Sequence, residues 1–87
     1  MTTEKVVVTA PNGLHARPVG EIVRLAKSFP DSAVTITSGE KTVKATSMLA
    51  ILSLGLKKGT KVGVCAEGGD EAGAVKAIVD LIQSVTE

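Results

Sequence analysis

Phe29 is the only aromatic residue in this 87-residue chain, so any core must be built from Val, Ile, Leu and Ala. The 44% hydrophobic fraction is enough for one, and a chain of this size buries roughly 60% of the surface its unfolded form exposes. The spacing of the aliphatic residues then assigns the elements. Residues 5–9 are short and β-branched, which reads as a strand, and Pro11-Asn12-Gly13 forces a turn after it. Over residues 16–29, Val19, Ile22, Val23, Ala26 and Phe29 recur at helical spacing, with Glu21, Arg24 and Lys27 outside the stripe. Pro18 is tolerated in the first turn, where its missing N–H would have no partner. It also biases Arg17 away from helical dihedrals, which places the helix start anywhere from residue 15 to 18. Pro30-Asp31 ends that helix.

Residues 33–37 alternate apolar and polar side chains, Ser38-Gly39-Glu40 supplies a hairpin turn, and residues 41–45 alternate again. Residues 47–54 form a short helix closed by Gly55, with Ser47 as the expected N-cap and Thr46 as its competitor. Residues 60–67 form a further strand with Val62, Val64 and Ala66 on one side. Gly68-Gly69 breaks it, and Asp70-Glu71 opens a last helix whose buried face is Val75, Ile78, Val79, Ile82 and Val85. Alternating strands want one covered face and one wet face. The pattern therefore predicts one α+β domain, an antiparallel sheet with all helices on one side.

Composition excludes several functions. Without Trp or Tyr there is no platform for stacking bases, and ten basic residues against nine acidic ones leave a net charge of +1, too little for nucleic-acid binding. One cysteine forms no internal disulfide, and one His with one Cys fifty residues away makes no metal cluster. No apolar run reaches signal-peptide or membrane-spanning length, so the expectation is a cytosolic chain. The glycines form neither a Walker pattern nor GxGxxG, and no carboxylate is placed to complete a Ser-His-Asp set. Cys65, on a strand, reads as a small packed or half-exposed residue.

His15 is the only histidine, and Arg17 follows two residues later. A helix start is an anion site, because its first N–H groups lack partners and the helix dipole is positive there. A neutral imidazole is a good nucleophile toward phosphorus, and phosphoryl transfer mainly needs positioning and charge stabilisation. The helix start and Arg17 both disfavour the imidazolium and favour a phosphorylated ring. Taken alone, the pair fits two readings equally: a phosphoryl carrier, or a helix-capping His beside a solvated Arg. A second element is the helix after Ser47. At about 100° per residue, Ala50, Ile51 and Leu54 share one face and Met48, Leu49 and Leu52 the other. A short helix on an open sheet buries one such face, so the second is expected to be an exposed docking patch. Arg24 and Lys27 lie near whole turns from Arg17 and supply a basic rim.

Asn12-Gly13-Leu14-His15-Ala16-Arg17-Pro18 resembles the active-site signature of HPr, the histidine phosphocarrier family of the bacterial sugar phosphotransferase system. The likeness continues through Ser47 and its helix, Leu54-Gly55, Ala66-Glu67-Gly68 and Asp70-Glu71, and so covers essentially the whole chain. It implies an open-faced β-sandwich of order βαββαβα, a four-stranded antiparallel sheet with three helices on one face, as a single domain over residues 1–87. It implies that His15 takes a phosphoryl group at Nδ1 from phosphorylated enzyme I, itself charged by phosphoenolpyruvate, and passes it to the IIA domain of a sugar permease. The chain is then a monomeric carrier rather than a free-standing enzyme, without cofactor, metal, nucleic acid or membrane insertion. Its docking surface would comprise Ala16, Arg24, Lys27, Met48, Leu49 and Leu52. Ser47 aligns with the serine that an HPr kinase/phosphorylase modifies in many members. Here, however, Met48-Leu49-Ala50-Ile51-Leu52 departs from the Ile-Met-Gly-Val-Met stretch common in the strongly regulated branch. His15 excludes the repression paralogue, which carries glutamine there. Two other readings are a nitrogen-branch carrier with the same chemistry, and a regulatory interaction module acting through Ser47 and the Met48/Leu49/Leu52 patch.

Overall fold

The computed structural model describes residues 1–11, 13–14 and 16–85; Asn12, His15, Thr86 and Glu87 lie outside the described residues. The elements run β1 (Thr2–Val7), α1 (Ala16–Lys27), β2 (Ala33–Ser38), β3 (Lys41–Lys44), α2 (Met48–Ser53), β4 (Lys61–Glu67) and α3 (Glu71–Ser84). The four strands form one antiparallel sheet in the order β1-β4-β2-β3. This is the expected βαββαβα arrangement.

Alternation builds the core. Val6, Val34, Ile36, Val62, Val64 and Ala66 are buried on the helix side, while Lys5, Thr37, Lys61 and Gly63 belong to the opposite face. α3 packs on β1 and β4, α1 lies between α3 and α2, and α2 reaches β3. The interior is aliphatic as composition demands, with Ile22, Ile36, Ile51, Ile78 and Ile82 fully buried. Each such side chain stabilises the fold by about 1.5–3 kcal/mol relative to exposure.

β1 departs from expectation: it begins at Thr2 and ends at Val7, not at residues 5–9. Its first residues are polar because it is an edge strand with a wet face, and its ladder pairs Thr2 with Ala66 and Val7 with Lys61. Beyond Lys61 the partner turns away, so Val8 meets that turn, donating to the Thr60 carbonyl at 2.9 Å and accepting from Gly59 N–H at 2.7 Å. α1 likewise stops at Lys27, two residues short of Phe29, which stays half-buried against the core.

Glu71 ties the start of β1 to the start of α3. Its carboxylate accepts from the Gly68 N–H (2.7 Å), the Met1 ammonium (2.9 Å) and the Thr2 hydroxyl (3.1 Å). The Gly68 bond, followed by the Met1 and Thr2 bonds, holds its pKa below the usual carboxylate value.

Candidate functional site

The loop from β1 into α1 is anchored from within the fold. Gly13 has φ +70°, a conformation that side chains rarely adopt, and its N–H donates to the Ala10 carbonyl at 2.9 Å. A Cβ at residue 13 would run into the Leu56 carbonyl oxygen and come within 2.9 Å of the Lys57 Cα. The Leu14 N–H donates to that same Leu56 carbonyl at 2.9 Å, and Leu14, Leu56 and Ala10 are all buried. The segment after α2 thus clamps the loop that leads into α1. His15, the expected phosphoryl acceptor, lies outside the described residues. Ala16 and Arg17 open α1 on its exposed surface, while Pro18, at the third helical position, is fully buried. Arg24 and Lys27 are exposed in the last turn of the same helix.

Ser47 is the N-cap of α2, in extended conformation at φ −109° and ψ 107°. Its Oγ accepts from the Ala50 N–H at 3.4 Å, a long bond against the usual 2.7–3.2 Å. Gly55, at φ +62°, follows the Leu54 C-cap and donates to the Leu52 carbonyl at 3.2 Å, as the C′ position requires. Within this helix Ile51 is buried, Met48 is 38% exposed and Leu49 is 82% exposed. Leu52 behaves differently from Leu49: it is half-buried and packs against the core, so the exposed patch is narrower than the helical wheel implies. α1 and α2 are neighbours, which sets Met48 and Leu49 on the helix beside the one carrying Ala16, Arg17, Arg24 and Lys27.

Among the described residues no polar or charged side chain is buried, so the charges of this region act at the surface. Nor do three His, Cys, Asp or Glu residues among them group as a metal site. Among the described residues no helix is long and apolar enough to cross a membrane. The clamp of Gly13 by Leu56 and Lys57 was not among the residues singled out from sequence. The Pro-Asn-Gly turn signalled the bend, but nothing local signalled its partner more than forty residues away.

An open-faced sandwich with an anchored loop opening α1 and a short capped helix beside it defines a small α+β domain. Comparison with known proteins specifies which. Residues 2–84 match the family model described as the PTS HPr component phosphorylation site, PTS being the phosphotransferase system. The phosphocarrier protein HPr of Vibrio cholerae is 41% identical over 85 residues, covering 98% of this chain and 99% of the relative. A crystal structure of an HPr from Thermoanaerobacter tengcongensis superposes with a TM-score of 0.90 at 40% identity, covering 97% of this chain and 93% of that one. An HPr from Bacillus anthracis superposes at 0.86 with 32% identity, covering 92% and 94%. The chain belongs to the HPr family of phosphocarrier proteins of the phosphotransferase system.

Proposed function

We propose that this chain shuttles a phosphoryl group on His15, taking it from phosphorylated enzyme I and giving it to the IIA domain of a sugar permease. The observation that carries the proposal is the clamped turn at Gly13, which leads straight into a helix opened by exposed Ala16 and Arg17. In the forward step the Nδ1 lone pair of neutral His15 attacks phosphorus. The donor's bond to phosphorus breaks, and its electron pair leaves with the donor. The second transfer repeats this with His15 as leaving group. Arg17 stabilises the phosphoryl oxygens by charge-assisted hydrogen bonds, together with the N–H groups of the helix start.

Successive partners dock on Met48 and Leu49, with Leu52 at the margin and Arg24 and Lys27 as a basic rim. A small apolar centre within a charged rim suits weak, rapidly exchanging complexes. Ser47 is a regulatory phosphosite in this scheme, open to a kinase of the HPr type. A phosphate there adds roughly two negative charges beside the patch and opposes docking. In this reading the protein works in the cytoplasm as a monomer of one domain.

The test is incubation with phosphoenolpyruvate and a sugar-branch enzyme I, followed by intact mass. One added phosphate, labile to acid and stable to base, is expected in the wild type and absent from His15→Ala. Persistence of the label in that variant would overturn the assignment.

A further inference from the structure

The helices cover one face of the sheet, and the bare face has a depression at its centre. Val62, Val64 and Ala66 of β4 point inward, so Lys61, Gly63 and Cys65 belong to the outer face. The register sets Lys5 of β1 and Thr37 of β2 on either side of Gly63, and Thr3 beside Cys65. Cross-strand neighbours stand about 4.5–5.5 Å apart. The missing side chain at residue 63 therefore leaves a hollow ringed by the others. Its volume is about 340 Å³, and Thr3, Lys5, Thr37, Lys61, Gly63 and Cys65 are among the residues lining it. Packing does not demand this glycine: a Cβ there would meet only Thr37, with its nearest contact the Thr37 Cβ at 3.7 Å, an ordinary distance. Glycine in a strand interior weakens the strand and often marks where something approaches closely.

The lining decides what that something is. Two lysines and two threonines are among the residues that line the hollow, and no acidic residue is. Glu67, on the same face of β4, lies two positions beyond Cys65 and outside the lining. The Thr37 hydroxyl is shared with that of Thr42 at 2.9 Å, which leaves it further hydrogen-bonding capacity. We propose that this depression binds a small phosphate monoester. A phosphate offers three acceptor oxygens and close to two negative charges, which suits lysine ammonium groups acting as point-charge donors alongside hydroxyls. Pockets from about 300 Å³ upward hold small molecules, and the aliphatic stems of the two lysines wall the organic part. The site faces away from α1 and α2, so it is independent of the phosphoryl-transfer reading.

Cys65 is the only cysteine and provides the readout. Its alkylation by iodoacetamide is followed with increasing glycerol 3-phosphate, and with glycerol or inorganic phosphate at matched ionic strength. The expected result is a saturable, several-fold slowing by glycerol 3-phosphate and none by glycerol. The slowing, taken as the ratio with and without ligand, should vanish in the Lys5→Gln/Lys61→Gln pair. It should vanish equally in Gly63→Val, which fills the hollow with a residue strands favour, and circular dichroism checks that both variants are folded. Absence of saturable slowing overturns the proposal, as does slowing that survives in both folded variants. Equal slowing by inorganic phosphate overturns the monoester assignment.

Discussion

α3 and α2 lie on the same side of one sheet and are held in different ways. α3 has fourteen residues and buries Ala74, Val75, Ile78, Val79 and Ile82 against β1, β4 and α1. α2 has six residues, with Ile51 as its buried one, and turns Met48 and Leu49 to solvent. A helix shorter than about 12–15 residues is marginal by itself, so α2 depends on Ile51 and on its caps. The difference separates two tasks. α3 closes the core, whereas α2 holds an apolar surface in the open.

The largest effect expected from this contrast is on stability. Ile78→Ala should cost about 2–5 kcal/mol in denaturant unfolding, the usual range for a fully buried isoleucine. Leu49→Ala should stay within about 0.5 kcal/mol of wild type. If the two variants unfold alike, the division of labour between the helices is wrong.

Function should invert that ranking. Leu49→Glu is expected to slow phosphoryl transfer from enzyme I and to IIA by about tenfold or more, while remaining folded. Normal transfer with both partners would remove Leu49 from the docking surface.

The caps give a smaller and sharper test. Asp70 Oδ1 accepts from the Gly73 N–H at 3.2 Å, the same geometry as Ser47 toward Ala50 but shorter and charge-assisted. Asp70→Ala should cost about 1 kcal/mol and Ser47→Ala about 0.5 kcal/mol, measured by equilibrium unfolding. A Cβ on Gly73 would displace the Asp70 carboxylate from its cap, but alanine gains about 0.8–1 kcal/mol of helix propensity over glycine there. Gly73→Ala should therefore stay close to wild type while Asp70→Ala does not.

The smallest effect at neutral pH concerns Glu71. Its pKa is lowered in the fold, first by the Gly68 N–H. It therefore contributes stability above its ordinary value of 4.5, and that contribution is lost as pH falls through the lowered folded value. Glu71→Gln should flatten the acid side of the stability profile. The N-cap of α2 is an uncharged serine, so Ser47→Ala should leave the shape of that profile unchanged.

The order of elements and most of the core were legible because alternation and helical spacing are local signals. Val62, Val64 and Ala66 on β4, and Val75, Ile78 and Ile82 on α3, are buried as their spacing implies. Ser47 and Gly55 were legible as caps for the same reason. What escaped depends on distant chain. The polar start of β1 is a strand because β4 pairs with it. Leu52 is half-buried because the helix sits on other elements, which a wheel does not include. The clamp on Gly13 and the hollow over Gly63 arise only when segments far apart in sequence are brought together.

During synthesis the first strand emerges long before its partner. β1 pairs only with β4, at the far end of the chain, whereas β2 and β3 form a local hairpin. Closing the long loop costs entropy before its contacts repay it, and such topologies fold slowly. The hairpin should therefore be structured in the folding transition state and β1 should dock late. Stopped-flow kinetics should show Val43→Ala slowing refolding and Val6→Ala mainly hastening unfolding. Equal slowing of refolding by both would reverse that order. Late docking would leave the β4 edge uncovered in each newly made chain, a brief window in which it can pair with the β1 of another copy.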